Sequence, residues 1–302
     1  MSDTQAQPWH GVYVATALPF RHDGSVDLDA YGEHVRFLAD GGCRGVCPNG
    51  SLGEYQTLGI DERTRVMRTA IEAAPEGFGV MPGVAAYGSR EVCGWIERAA
   101  EAGAASVLLL PPNSYRASRS DVVAHYREAA RVGLPVVAYN NPIDTKVDLT
   151  PDLLAELHAE NLIVAVKEFS GDPRRGYLLA ESAPGLDLIV GADDMVLELG
   201  LAGAVGWIAG YTNAFPATTV EMFRLITSDD PADVPAGIAL YRSLHALLRW
   251  DSKTEFVQAI KLSMDVAGRY GGPCRPPRGP LPDDVAARIT ELTKAAVAEG
   301  YR

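Results

Sequence analysis

The sequence predicts an α/β fold, a (β/α)8 barrel of the TIM type over residues 1–228 followed by a helical appendage of three helices over residues 229–302. Three observations carry that expectation. Eight short apolar runs alternate with amphipathic stretches across short links, a pattern that favours a closed barrel over an open doubly wound sheet of fewer strands. One run, Leu162-Ile163-Val164-Ala165-Val166-Lys167-Glu168, is apolar up to its lysine and rich in Val and Ile, as a parallel strand covered on both faces must be. No GxGxxG follows the first strand, so the dinucleotide-binding form of the open sheet has no support.

Taken in order, Gly11 to Pro19 reads as the first strand, and Asp27 to Asp40 as a helix with Leu28, Tyr31, Val35 and Leu38 on one face before Gly41-Gly42 stops it. Arg44 to Pro48 is the second strand; Asp61 is placed to cap a helix running to Ala74. Gly79 to Pro82 is the third, followed by a helix opened by Ser89 and closed by Gly103, with Val92, Trp95, Ile96 and Ala99 inward. Ala105 to Leu110 is the fourth, its helix spanning about Asp121 to Arg131, and Pro135 to Asn140 the fifth. Thr150-Pro151 and Asp172-Pro173 are cap-proline starts for the helices before and after the sixth strand. Leu186 to Val190 and Gly203 to Ile208 complete the eight, with Asp193-Asp194 ahead of a short helix between them and a last barrel helix over about Ala217 to Thr227. Strand signals then stop. Pro235 to Trp250, Thr254 to Val266 and Asp283 to Glu299 read as helices, and the basic, proline-rich loop Arg275 to Pro280 reads as a rigid connector rather than a partner site.

Composition bounds the function. A chain of 302 residues, 47% hydrophobic and 22% charged, accommodates a barrel of about 250 residues plus an appendage. A net charge of -12 argues against nucleic acid or an anionic membrane surface as partner. No run reaches the ~18 apolar residues of a membrane span, and Met1 to Pro8 lacks the basic and apolar regions of a secretory signal. Cys43, Cys47, Cys93 and Cys274 form no CxxC pair, which suits reduced thiols in a cytoplasmic enzyme; Cys43 and Cys47, flanking the second strand, read as core.

Three stretches converge on the carboxyl ends of the strands, where barrel enzymes do their chemistry. Lys167 ends the sixth strand. An ammonium held against an apolar wall loses hydration, and the neutral amine formed from it attacks carbonyls. The competing reading is a strand-end lysine reaching to solvent. Tyr139-Asn140-Asn141-Pro142 ends the neighbouring fifth strand, about 4.8 Å away, so the Tyr139 phenol shares the space above Lys167 and is placed to relay a proton; a core tyrosine with a satisfied hydroxyl is the plainer alternative. The loop Asn49-Gly50-Ser51-Leu52-Gly53-Glu54 combines a hydroxyl with glycines that let backbone N–H groups approach an anion, although glycine and serine also simply make turns.

Gly50-Ser51-Leu52-Gly53-Glu54, Tyr139-Asn140-Asn141-Pro142 and Val166-Lys167-Glu168 together resemble the G-[TS]-x-G-E loop, the Y-N-x-P segment and the lysine strand of the dihydrodipicolinate synthase/N-acetylneuraminate lyase family. The resemblance covers essentially the whole chain. It implies a class I, Schiff-base-forming lyase of a small 2-oxo acid: Lys167 the imine-forming nucleophile, Tyr139 the proton relay, and the Ser51 hydroxyl with the Leu52 N–H holding the C1 carboxylate. Gly50 belongs to the same loop, and Gly191 and Ile208 would line the pocket. No metal and no cofactor are implied, and a homo-oligomer, tetramer or dimer, is.

Departures from that pattern narrow the substrate. Asp144 stands where true dihydrodipicolinate synthases have an arginine for the second substrate's carboxylate, which argues against aspartate semialdehyde. Leu52 replaces a threonine, and Ser114 aligns with the tyrosine those synthases contribute across a subunit interface, Tyr115 falling one residue late. Gly50 to Glu54, Gly206-Trp207-Ile208-Ala209-Gly210 and Phe256 to Leu262 are similar, less specifically, to the branch that deaminates 1-pyrroline-4-hydroxy-2-carboxylate. Two other functions compete. A metal-dependent barrel aldolase is disfavoured because His10, His22, His34, His125, His158 and His245 fall on predicted loops or helices rather than strand ends. A non-catalytic metabolite-binding barrel is prompted by Leu52, Asp144 and the missing tyrosine.

Overall fold

A computed structural model describes residues 7–113 and 115–302. Its eight parallel strands are β1 (Gly11–Ala15), β2 (Gly45–Cys47), β3 (Gly79–Val80), β4 (Val107–Leu109), β5 (Val136–Asn140), β6 (Ala165–Glu168), β7 (Asp187–Val190) and β8 (Gly206–Ala209). They pair in the order β3-β2-β1-β8-β7-β6-β5-β4. The two ends of that row meet where Gly83, just beyond β3, bridges Leu108 of β4 in parallel. Leu108 N–H donates to Pro82 O and Val84 N–H to Leu108 O, each at 3.0 Å, and the barrel is closed.

The helices around and after it are α1 (Leu28–Asp40), α2 (Ile60–Ala73), α3 (Ser89–Ala102), α4 (Arg119–Ala130), α5 (Pro142–Thr145), α6 (Pro151–Ala159), α7 (Arg174–Ser182), α8 (Val196–Leu201), α9 (Pro216–Ile226), α10 (Val234–Leu248), α11 (Phe256–Val266) and α12 (Asp283–Ala298). Helix boundaries differ from the sequence expectation at several caps. Gly59, not Asp61, caps α2, because the Glu62 carboxylate reaches back 3.0 Å to the Gly59 N–H. Ser118 opens α4 through a reciprocal box with Asp121. Asp172 does hold the entry to α7, accepting from Arg174 N–H at 3.1 Å, but Pro173 lies outside the helix. The single turn α5 was not expected; Asn141 caps it by accepting from Asp144 N–H. β1 stops at Ala15; β8 begins only at Gly206, because Gly203, left-handed at φ +97°, still closes off α8.

Alternation sorts the strand side chains. Tyr13, Cys47, Met81, Leu108, Val137, Ala165, Ile189 and Ile208 fill the barrel interior, whereas Val166, Val190 and Trp207 face outward into the layer under the helices. Tyr13 occupies the amino-terminal end of the interior, and β2 and β3 make room for it with glycine. A Cβ on Gly79 would lie 1.9 Å from the Tyr13 hydroxyl oxygen, and one on Gly45 2.3 Å from its ring. Trp9 Nε1 and His10 Nε2 both reach Asp187 Oδ2, at 2.7 and 2.8 Å, and draw the incoming chain across this end.

After α9 the chain turns back over the helical layer. Leu244, Leu247 and Leu248 of α10, Val257, Ile260 and Met264 of α11 and Ala296 of α12 belong to the same apolar cluster as Val166 and Trp207. The proline-rich loop is tied down through Arg275, which donates to Gly24 O at 2.7 Å, to Thr57 O at 3.0 Å and to both Glu62 oxygens at 2.9 and 2.5 Å. No helix among the described residues is long and apolar enough to cross a membrane.

Candidate active site

A cavity of about 470 Å³ opens at the carboxyl ends of the strands. Gly50, Ser51, Leu52, Tyr139, Asp144, Lys167, Gly191 and Ile208 all line it. The eight residues singled out in the sequence therefore share one space.

Lys167 is 5% exposed, and its register partners are Tyr139 on β5 and Ile189 on β7. Its Nζ lies 4.2 Å from the centroid of the Tyr139 ring and 5.9 Å from that of Phe169. No carboxylate comes within ion-pairing distance of it among the described residues, and beyond the two rings the buried carboxyls of Asp193 and Asp251 are its charged neighbours. Burial raises the Tyr139 phenol above its ordinary pKa, partly offset by the nearby Lys167 charge, which keeps the phenol protonated at neutral pH. Asn141 Nδ2 donates to the Tyr139 hydroxyl at 3.4 Å and to Asp144 Oδ2 at 2.8 Å. Asp144 thus both lines the cavity and braces the turn that follows β5.

The loop after β2 is held rigidly from below. Asn49 takes a left-handed conformation at φ 60° and Glu54 another at φ 52°. Asn49 Nδ2 donates to Arg63 O, and Arg63 Nη2 to Gly83 O, each at 3.0 Å. Buried Arg63 stacks on the Trp95 and Tyr55 rings at 4.2 and 5.0 Å. Glu54, 1% exposed, accepts from Lys261 Nζ at 2.8 Å and from Arg275 N–H at 3.0 Å. Among the described residues the N–H groups of Ser51 and Leu52 find no protein acceptor, and Ser51 Oγ makes no protein hydrogen bond. Fixed, unspent donors at a cavity wall suit a carboxylate without a full positive charge. Gly191 is required sterically: a Cβ there would lie 2.5 Å from Glu168 O.

Other residues of the site carried no motif. Asp251, Ser252 and Lys253, from the connection between α10 and α11, and Arg278, from the proline-rich loop, line the same cavity. In sequence, Asp251 is a polar residue between two apolar helices, indistinguishable from a solvated turn. Asp193 also lies close by, fully buried at the end of β7, accepting from Tyr211 N–H at 2.6 Å, Gly210 N–H at 3.0 Å and Trp207 Nε1 at 3.1 Å. Burial pushes its carboxyl up to about 6. Cys47, expected in the core, is buried and also touches the cavity; burial pushes its thiol up to about 12 and leaves it unreactive. Ser114 lies outside the described residues. Tyr115 is exposed and does not line the cavity.

Comparison with known proteins places this geometry in context. Residues 8–296 match the Dihydrodipicolinate synthetase family. A 4-hydroxy-tetrahydrodipicolinate synthase from Methanosphaerula palustris is 32% identical over 288 residues, covering 94% of this chain and 98% of that one. An uncharacterized DapA-like lyase from Rhizobium meliloti is 30% identical over 289 residues, covering 94% of each chain. Among solved structures, the 4-hydroxy-tetrahydrodipicolinate synthase of Methylacidiphilum fumariolicum superposes with a TM-score of 0.90 at 26% identity, over 96% of this chain and 97% of the other.

Proposed function

The chain belongs to the dihydrodipicolinate synthetase family, whose members are lyases, and from that premise we propose that it forms a Schiff base between Lys167 and a small 2-oxo acid. The observation that carries the proposal is the placement, in one cavity, of a buried lysine with no ion-pair partner among the described residues, a protonated phenol whose ring its Nζ packs against, and unspent backbone donors. Nζ adds to the C2 carbonyl, and the resulting carbinolamine loses water. The protonated imine then withdraws electrons from C3, so that a C3 proton leaves or a bond at C3 breaks. Ser51 Oγ and the Leu52 N–H hold the C1 carboxylate, and Tyr139 passes protons above the imine. Gly191 and Ile208 close the wall behind C2. The same reading expects a homo-oligomer, a tetramer or dimer, to be checked by sedimentation.

Asp144 supports a substrate other than aspartate semialdehyde, because a carboxylate facing the cavity repels a second carboxylate. Within the family's chemistry this leaves aldol cleavage or condensation of a 2-oxo acid, or dehydration and deamination of 1-pyrroline-4-hydroxy-2-carboxylate. In the latter, Lys167 displaces the ring nitrogen and C3 deprotonation expels the C4 hydroxyl. Borohydride reduction in the presence of pyruvate, and separately of the pyrroline, tests the proposal by intact mass and peptide mapping. The expected result is an adduct on Lys167 that Lys167→Ala abolishes along with turnover. An unmodified Lys167 with both compounds, or full activity of the variant, would overturn it.

A further inference from the structure

We propose that Asp251, carried into the site by the connection between α10 and α11, is the carboxyl group that gives and takes the proton of imine formation and hydrolysis. The assignment rests on Lys167 being the imine-forming amine.

Dehydration of a carbinolamine needs a proton on its departing hydroxyl, and hydrolysis needs that proton removed from the incoming water. Tyr139 is a poor sole agent for both, since burial holds its proton firmly. Asp251 lines the same cavity as Lys167 and Tyr139, on a segment outside the barrel strands. Its two oxygens are inequivalent. Oδ2 accepts from the Asp193 N–H at 3.2 Å, which anchors the carboxyl against the end of β7. Oδ1 makes no protein hydrogen bond among the described residues, and it packs directly over Gly210 at the end of β8. A Cβ at Gly210 would lie only 2.5 Å from Oδ1, so the backbone is bare where the carboxyl approaches.

The charged and titratable groups around Asp251 are Asp193 and Asp194 after β7, Lys167 on β6, Tyr139 on β5, Tyr211 after β8 and Lys253 on its own segment. Desolvation, and then repulsion from Asp193, raises the Asp251 carboxyl well above the ordinary range against the opposing pull of Lys167. The protonated form of this carboxyl is thereby favoured over that of a solvent-exposed aspartate.

The step balances. Addition of the unprotonated Nζ amine to C2, with one N–H proton passing from the nitrogen to the C2 oxygen, gives a neutral carbinolamine. The Asp251 O–H then transfers its proton to the C2 hydroxyl, the C2–O bond breaks, and water departs. The nitrogen lone pair forms the C2=N bond, leaving a protonated imine beside the Asp251 carboxylate. In hydrolysis the carboxylate takes a proton from water as its oxygen bonds to C2, which restores the acid. No other reactant is required.

The test follows the rate at which borohydride-trappable adduct accumulates on Lys167, with pyruvate as the probe, across a pH series. Asp251→Asn keeps an oxygen to accept from the Asp193 N–H, so the fold is preserved, as thermal unfolding and circular dichroism would verify. It should still be trapped at Lys167, but about 10²- to 10⁴-fold more slowly and without the pH limb of the carboxyl. Asp251→Ala should be equally slow and accelerated saturably by added formate, which a purely structural role would not allow. Wild-type rates and pH dependence in Asp251→Asn would overturn the assignment while leaving the imine intact. A folded, slow Asp251→Ala that formate fails to accelerate would also overturn it. No adduct on Lys167 of the wild-type protein would remove the imine reading and this role together.

Discussion

Lys167 owes its position to a period of two. On β6, Ala165 and Lys167 face the barrel interior while Val166 and Glu168 face outward, so the amine meets the cavity and the following carboxylate does not. Glu168 is instead held by Asn140 Nδ2 at 2.9 Å and by the Ser170 N–H at 2.6 Å, and burial raises its carboxyl. The same alternation on β5 brings Tyr139 over the amine. Replacing Tyr139 by Phe removes the hydroxyl but keeps the ring against Nζ, so turnover should fall by about 10²- to 10⁴-fold while trapping at Lys167 persists. Steady-state kinetics beside borohydride reduction would separate the two. Asp144→Arg tests the specificity argument: reversing the charge on the cavity wall should shift preference toward substrates with a second carboxylate. An unchanged substrate profile would confine Asp144 to bracing its turn.

At the scale of elements, the loop after β2 and helix α11 are joined by one buried ion pair, Glu54 with Lys261 at 2.8 Å. Lys261 Nζ also donates to Pro273 O at 2.9 Å and sits 4.6 Å from the Phe20 ring centroid. The two stretches sit more than two hundred residues apart, and neither residue had been given a role from sequence. Removing one partner strands a buried charge, which costs about 3–5 kcal/mol. Lys261→Met should therefore lower the unfolding free energy by that order in urea titration. Since Glu54 anchors the loop bearing Ser51 and Leu52, the variant should also bind 2-oxo acids more weakly, seen as a raised KM. A stable variant with unchanged KM would show that the loop holds its shape through Asn49 and Arg63 alone.

The molecule as a whole carries buried imidazoles whose protonation opposes the folded state. His34 lies between α1 and the barrel, donating to Asn213 Oδ1 at 2.8 Å, while Asn213 Nδ2 ties Ala15 O to Gly210 O. His125 is buried between α4 and α3, where it meets Ser89 Oγ at 2.8 Å. Burial lowers both to about 4 from an ordinary 6.5. Their neutral forms favour the folded state, so this stabilisation is complete above pH 6.5 and is lost as pH falls through about 4. It is on the order of 3 kcal/mol for each. Urea midpoints should decline from pH 7 to pH 4, and His34→Gln should be less stable at pH 7 but show a shallower decline. An equally steep decline would assign the acid sensitivity to the carboxylates instead.

What the sequence determined by itself was local. The β/α alternation, the inward and outward faces of each strand and the order of the three motif-bearing loops follow from hydrophobic period and turn chemistry, which short windows contain. The residues marked at Lys167, Tyr139, Ser51, Leu52, Asp144, Gly191 and Ile208 meet in one cavity because barrel closure gathers strand ends, a consequence of topology that a strand count already implies. Helix starts were less legible, since Gly59 acts as a cap only through a Glu62 side chain folding back on it. Tertiary structure alone decided that Asp251 enters the site beside Gly210, and that Glu54 finds Lys261. Both depend on how α10 and α11 dock across the outer apolar layer, where apolar contact is permissive about partners. A buried carboxylate then acquires its meaning from whatever charge the docking brings to it.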